Sequence, residues 1–376
     1  MNLYLQNFLI EHPNDWKEIL KEKPYAFKVI EKDDLVLFKY NQIDSDFNIP
    51  LVQEARGIVF DKSDWSVIKH PFHKFFNYGE SNAAVIDWGS ASIQEKIDGS
   101  LIACYFYKNE WMISTNGTID ARDASLQFPV QLNKKKKINS FYDLVVYTLE
   151  QMFGRDYIFG VFQNIDKKST HLFEIATPIN RIVVPYKDFK IYYLCSKVNS
   201  TGIEYYSKPL LDRFPIPKVY SFNSLEDCVK AAKELQYDSE GYVIVDKNWN
   251  RIKIKSPAYI AAHHLRGEDV VTDKKLLNLI LANEGNEFLT YFPEFKDAYN
   301  NLYNRLLQLK TRMGADAKKL EEMQKGNKSR KEIALWANKE CVIPAFIFQL
   351  LDKKIENIDN FIYNKCKVEK LLEYIK

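Results

Sequence analysis

Residues 240–256 read E-G-Y-V-I-V-D-K-N-W-N-R-I-K-I-K-S. An acidic residue opens a run of β-branched and aromatic residues. A polar stretch, 246–250, interrupts it, and a second alternating run follows. That pattern is a hairpin: one strand over 241–246, a turn, and a second strand over 251–255. Side chains two apart on a strand share a face. Lys253 and Lys255 therefore stand on one face, and Ile252 and Ile254 on the other. The isoleucines can enter a core while the lysines meet something anionic. A plain amphipathic edge strand, with lysines that discourage aggregation, has the same pattern.

Working outward, the same texture fills the chain up to about residue 256. Short runs rich in β-branched and aromatic residues fall at 34–39, 56–61, 92–95, 101–107, 171–175, 181–185 and 191–194. Helical periodicity marks 140–152 and 224–235, the second opening on Ser224 with Asp227 three residues on. Beyond Ser256 the spacing changes to three and four, as in Tyr299, Leu302, Tyr303, Leu306 and Leu307. Residues 343–351 and 358–375 look similar. The expected fold class is α+β: a domain over 1–256 built of antiparallel sheets with flanking helices, then an all-helical domain over 257–376. The boundary is placed near 257–266.

Composition narrows the class. The chain has 376 residues, enough for two domains, and 46% are apolar, enough for a sizeable core. With 13 Gly and 13 Pro, long flexible linkers are not expected. Five scattered cysteines form no C-x-x-C pair, so neither a disulfide framework nor a zinc site is expected. Residues 1–12 carry no basic region or long apolar run, and no stretch reaches membrane-spanning length. A cytoplasmic protein is expected, with no membrane and no obligate protein partner. A net charge of +3 excludes a protein that coats nucleic acid by bulk charge, so any RNA contact must use local patches. The lysine run 134–137 fits either a solvated loop or such a contact.

Four blocks carry chemistry. Glu95-Lys96-Ile97-Asp98-Gly99-Ser100 places a lysine at the end of a strand, before a glycine that permits a tight turn and close backbone approach. Lys96 can act as a nucleophile when its amine is neutral, and nearby cations such as Lys253 and Lys255 favour that state. The tetrad K-x-D-G is short, and a solvated lysine on a surface turn reads the same. Glu240, beside phosphate-seeking lysines, is a candidate magnesium ligand or a partner for one of those lysines. Glu174 lies inside the apolar run L-F-E-I and needs a partner if buried: a ribose hydroxyl, a metal-bound water, or Arg181. Arg56, Lys74 and Tyr40 add two cations and an aromatic ring at or near strand ends.

In order, Lys96, Glu174, Glu240 and Lys253/Lys255 resemble the motif series of the covalent nucleotidyltransferases, the superfamily of ligases and mRNA capping enzymes. The fuller set resembles the T-even bacteriophage RNA ligase 1 family of ATP-dependent tRNA-repair ligases. Its blocks here are F-K-Y-N (38–41), E-A-R-G-I-V-F (54–60), K-F-F-N (74–77), K-I-D-G-S-L (96–101), F-E-I-A-T-P-I-N-R-I-V (173–183), E-G-Y-V (240–243) and R-I-K-I-K-S (251–256). They span about 34–260.

The resemblance implies an ATP-dependent RNA ligase. Lys96 would accept AMP. Tyr40, Arg56, Lys74, Glu174, Lys253 and Lys255 would contact ATP. Asp98, Glu174 and Glu240 would hold Mg²⁺, with Mn²⁺ as the alternative ion, and Tyr259 would serve later steps. The partner would be RNA with 5′-phosphate and 3′-hydroxyl ends, such as cleaved tRNA, engaged in part by the C-terminal helices; Lys-rich faces such as 325–331 fit either that role or plain solvation. The sequence departs from the family at two places. Asn116 stands where a lysine is expected, which touches RNA engagement and sealing. A C-terminal metal-binding aspartate has no clear counterpart, the nearest region being 284–287.

Two other classes compete. A DNA ligase or capping-type enzyme would carry a β-barrel after the lysine strand, and the helical texture speaks against it. A non-catalytic RNA-binding module on a ligase fold would not require Lys96, and failure to form a nucleotide adduct would favour it.

Overall fold

The computed structural model describes residues 3–133, 136–155, 160–264 and 271–375. Lys134 and Lys135 of the lysine run, and Arg266 at the expected boundary, lie outside these residues, as does the Glu287 side chain. The chain divides into two units, Met1–His263 and His264–Lys376.

The first unit is built on three sheets and a two-stranded ribbon. β1 (Lys28–Lys32), β2 (Leu35–Lys39), β3 (Arg56–Asp61) and β4 (Val67–Lys69) form an antiparallel sheet in chain order. Its core holds Val36, Phe38, Ile58 and Phe60, packed by the helix Tyr4–Glu11 through Leu5 and Leu9. β5 (Phe76–Asn77) and β6 (Ser92–Glu95) belong to a second sheet. β7 (Ser100–Tyr107) and β8 (Glu110–Thr115) belong to a third. β9 (Ser125–Asn133) and β10 (Lys136–Ser140) make the ribbon.

β11 (Ser169–Ala176), β12 (Lys190–Val198) and β13 (Glu204–Tyr205) complete the third sheet, in the order β13-β12-β11-β7-β8. β14 (Val219–Tyr220), β15 (Gly241–Val245) and β16 (Arg251–Lys255) complete the second, in the order β14-β6-β15-β16-β5. Its one departure from antiparallel pairing is β16 with β5, which run parallel with Ile252 opposite Phe76.

Each of these two sheets packs one face against a helix. In the third, Ile102, Phe173 and Ile175 pack on the helix Phe141–Phe153. Ser140 caps that helix in a reciprocal capping box with Asp143. In the second, Ile93, Ile244, Ile252 and Ile254 pack with Cys228 and Ala232 of the helix Leu225–Glu234. On the opposite face of the third sheet Ala103, Leu172 and Cys195 pack on Phe72, while Leu101 and Glu174 of that sheet and Gln94 and Val243 of the second line a common cleft.

One expected strand is absent. Residues 181–185 form no strand and bend at 182–184, because the backbone amides of Val183 and Val184 donate to the Asp98 carboxylate at 2.9 and 2.7 Å instead of to a ladder.

Among the described residues, the second unit is helical. Its longest element, Lys296–Lys325, buries Leu302, Leu306, Leu309, Met313 and Leu320. The buried stripe is narrower than the sequence pattern implies, since Tyr303 and Leu307 are 43% and 44% exposed. No helix among the described residues is long and apolar enough to cross a membrane.

Candidate active site

The hairpin of β15 and β16 sets the site. Gly241 pairs with Lys255, and Ser256 donates from its amide to the Glu240 carbonyl at 2.9 Å. Gly241 has φ +137°, and a Cβ there would sit 2.0 Å from the Ile254 carbonyl oxygen. Only glycine allows the two strands to close so tightly. The closure puts the Glu240 carboxylate beside the Lys255 ammonium, at 3.4 Å.

Lys96 follows β6, which pairs with β15. Its amide donates to the Gly241 carbonyl at 2.8 Å, and its side chain donates to the second Glu240 oxygen at 2.8 Å. Glu240 is 5% exposed and bridges two lysines. The expectation from sequence set cations around Lys96; the charge in direct contact is a carboxylate.

Gly99 joins this loop to the third sheet. A Cβ at Gly99 would lie 2.4 Å from the Ile175 carbonyl oxygen and 3.1 Å from Cγ of Glu174. The bare glycine thus lets the Lys96 loop rest on β11, next to Glu174. Asp98 is 2% exposed and anchors the loop. Besides the two amides it receives, its other oxygen accepts from the Tyr259 hydroxyl at 2.7 Å, and its own amide donates to the Tyr186 hydroxyl. The two residues expected to meet metal and RNA, Asp98 and Tyr259, are therefore satisfied by each other and by backbone. Tyr259 is only 2% exposed.

The cleft encloses about 280 Å³ and is lined by Arg56, Gln94, Lys96, Asn116, Glu174 and Arg251, among others. Leu101, Leu194, Pro217 and Val243 give it an apolar wall. Glu174 reaches it from β11, part of its surface open to the cleft and the rest enclosed by protein. Among the described residues no protein donor reaches its carboxylate, and Arg181 donates instead to the Val183 carbonyl. Burial, opposed by Lys96 and reinforced by Glu240, pushes the Glu174 carboxyl up to about 8. Among the described residues the buried Nη1 of Arg56 has no acceptor, and its guanidinium lies 5.3 Å from the Phe75 ring. A donor without an acceptor and a carboxylate without a donor, both in one cleft, suit a ligand with phosphate and hydroxyl groups.

Tyr40 and Lys74 come together outside this lining. The Lys74 ammonium stands 4.4 Å from the Phe47 ring, 5.3 Å from Tyr40 and 5.5 Å from Phe76. Lys74 lines a neighbouring cavity of about 210 Å³ that shares Phe72, Phe75 and Arg251 with the first. Lys253 lies opposite Val243 and Asn77, on the same strand face as Lys255.

Arg251 escaped the sequence reading. It stands on the face of Lys253 and Lys255, donates to Glu204 at 2.6 Å, and lies 4.5 Å from the Phe72 ring. The alternation R-I-K-I-K carried that signal. Glu204 also faces Lys197 at 3.7 Å, so two cations share one buried carboxylate. Nothing in the sequence marks that pairing. Among the described residues no group of three His, Cys, Asp or Glu side chains forms a metal cage.

A family described as RNA ligase, of the T4 ligase 1 type, matches residues 54–259, more than half of the chain and the segment from Glu54 to Tyr259. The chain belongs to the RNA ligase family. A protein of Autographa californica nuclear polyhedrosis virus, provisionally described as a bifunctional polynucleotide kinase/RNA ligase, is 32% identical over 297 residues. That match takes in 74% of this chain and 40% of the viral protein, so the chain spans less than half of that relative's length. An RNA ligase of Rhodothermus phage RM378 is 23% identical over 373 residues, covering 81% of this chain and 82% of the phage protein. Among solved structures, an archaeal ATP-dependent RNA ligase aligns with TM-score 0.44 and 11% identity, over 82% of this chain and 83% of that one.

Proposed function

We propose that this RNA ligase family member joins RNA ends with ATP through a covalent adduct on Lys96. The observation that carries the reading is the chain of contacts Lys96–Glu240–Lys255 at a cleft that also presents the Glu174 carboxylate and an Arg56 donor with no acceptor among the described residues.

The Lys96 amine attacks the α-phosphorus of ATP. An N–P bond forms, the bridging P–O bond breaks, and pyrophosphate leaves with the electron pair. Glu240, in contact with Nζ, is placed to take the proton the amine must lose. Lys255, Lys253 and Arg56 offset the charge that builds on the phosphate oxygens. Glu174 accepts from a ribose hydroxyl. A 5′-phosphate oxygen of RNA then attacks the adenylyl phosphorus, and Lys96 leaves as the amine. Finally a 3′-hydroxyl attacks the activated 5′-phosphorus, forming the phosphodiester and releasing AMP. Cleaved tRNA, with a 5′-phosphate and a 3′-hydroxyl after end healing, is the proposed substrate.

The donor set fits a hydrated Mg²⁺, or Mn²⁺, held by one or two carboxylates and by the nucleotide's own phosphates, and unlike a closed protein cage. Glu174 would hold it, joined by Glu240 once Lys96 turns to phosphate; Asp98 is already engaged. The ion would supply charge neutralisation on the phosphates.

Incubation with ATP and Mg²⁺ should add one adenylyl group to the protein, and Lys96→Ala should abolish the addition. An adduct that persists in Lys96→Ala would defeat the assignment.

A further inference from the structure

Lys69 ends β4, opposite Val59, and is 1% exposed. Lysines are seldom buried to this degree without an acidic partner. Among the described residues no carboxylate meets it. Its amine donates to two backbone carbonyls, Thr115 at 3.0 Å and Thr118 at 3.5 Å. Burial, with Lys39 nearby, pushes its pKa down to about 7. Something offsets the cost of keeping a lysine there.

Both carbonyls flank Asn116 in the turn that begins at Thr115, the last residue of β8. The turn closes on itself: the Gly117 amide donates to the Thr115 hydroxyl at 3.1 Å, and the Thr115 and Thr118 hydroxyls lie 3.0 Å apart. On its other side it meets β3. Gly57 has φ +86°, and a Cβ there would lie 2.4 Å from the Asn116 carbonyl oxygen. Gly57 directly follows Arg56, whose Nη1 has no acceptor among the described residues. Arg56 and Asn116 both line the cleft; Lys69 does not.

We infer that Lys69 is a positioning residue of the nucleotide cleft, its buried amine clamping the 115–118 turn against Gly57 so that Asn116 stands beside Arg56. The inference rests on the proposed adenylation of Lys96. Lys69 acts through the turn and touches no reacting atom. Its loss should change how well nucleotide is held more than how fast Lys96 reacts once the cleft is full.

The test is the rate of adduct formation against ATP concentration in wild type, Lys69→Met, Asn116→Ala and the double variant. Lys69→Met should raise the apparent KM about tenfold and leave the saturated rate within about twofold. In the Asn116→Ala background it should add less than about twofold, because the two changes act through one turn. An unchanged KM, or the same factor in both backgrounds, would overturn the inference. Should Lys69→Met not fold, Thr118→Val loosens the same turn with Lys69 intact; it should raise KM in the same way, and an unchanged KM again overturns the inference. If wild type forms no adduct, the proposed function fails. Lys69 is then judged by hydrogen exchange in Lys69→Met: faster exchange confined to residues 114–118 supports the clamp, and unchanged or uniformly faster exchange rejects it.

Discussion

At the scale of single residues, the site is a set of charges that protein partners satisfy unequally. Glu240 has two lysines, Asp98 has two amides and a hydroxyl, and Glu174 has no donor among the described residues. Glu174 therefore carries a pH signature. Its carboxyl is raised from 4.5 to about 8, so the folded chain holds this proton more tightly than the unfolded chain. Stability from this group is full below about 4.5, falls as pH rises to about 8, and is flat beyond. Glu174→Gln should abolish that loss. Denaturation of the nucleotide-free protein should show the variant gaining about 2–3 kcal/mol on wild type between pH 5 and pH 9, discounted for the face open to the cleft. A constant difference would mean that Glu174 is ionised in the folded state. Lys255→Ala should leave the fold intact and slow adenylation by about a hundredfold or more, the loss expected when one charge-stabilising group is removed. Normal adduct formation in that variant would remove Lys255 from the chemistry.

At the scale of elements, alternation and non-local packing made different parts legible. The β16 strand could be read because one face is core: Ile252 and Ile254 are each 2% exposed, and their spacing fixes where Lys253 and Lys255 stand. Asp98 and Val183 illustrate the opposite case. The run R-I-V-V-P has strand composition, yet its amides are taken by a carboxylate 85 residues away in sequence. Composition records side-chain preference and not which acceptor claims an amide. Lys69 is a harder case still, since a lysine at a strand end reads as surface. Both glycines of the site were visible as residues, but the carbonyls they approach were not. Gly241→Ala should force β15 from β16, because no L residue can place a Cβ 2.0 Å from the Ile254 oxygen. Thermal unfolding should show a loss above about 2 kcal/mol, and adduct formation should fail with it. A variant of native stability would mean that the hairpin tolerates a looser register and that Glu240 need not be held so close to Lys255.

At the scale of the whole molecule, a net charge of +3 leaves RNA affinity to local features, and the site residues all belong to the unit Met1–His263. The change of periodicity near residue 256 announced the helical unit, while its function left no motif. Lys325 and Lys331 are exposed on that unit. Reversing both charges should leave the fraction of adenylated protein unchanged. Any effect should be confined to sealing, with a shallower salt dependence if these lysines contact phosphate. Loss of adenylation in that variant would mean that the first unit does not carry the chemistry by itself.

The proposed chemistry stands on Lys96 as the nucleophile. Intact-protein mass, recorded after purification and again after incubation with ATP and Mg²⁺, tests it most directly. A gain of one adenylyl group, absent in Lys96→Ala, is expected. No gain with any nucleotide, or a gain that survives the loss of Lys96, would contradict it.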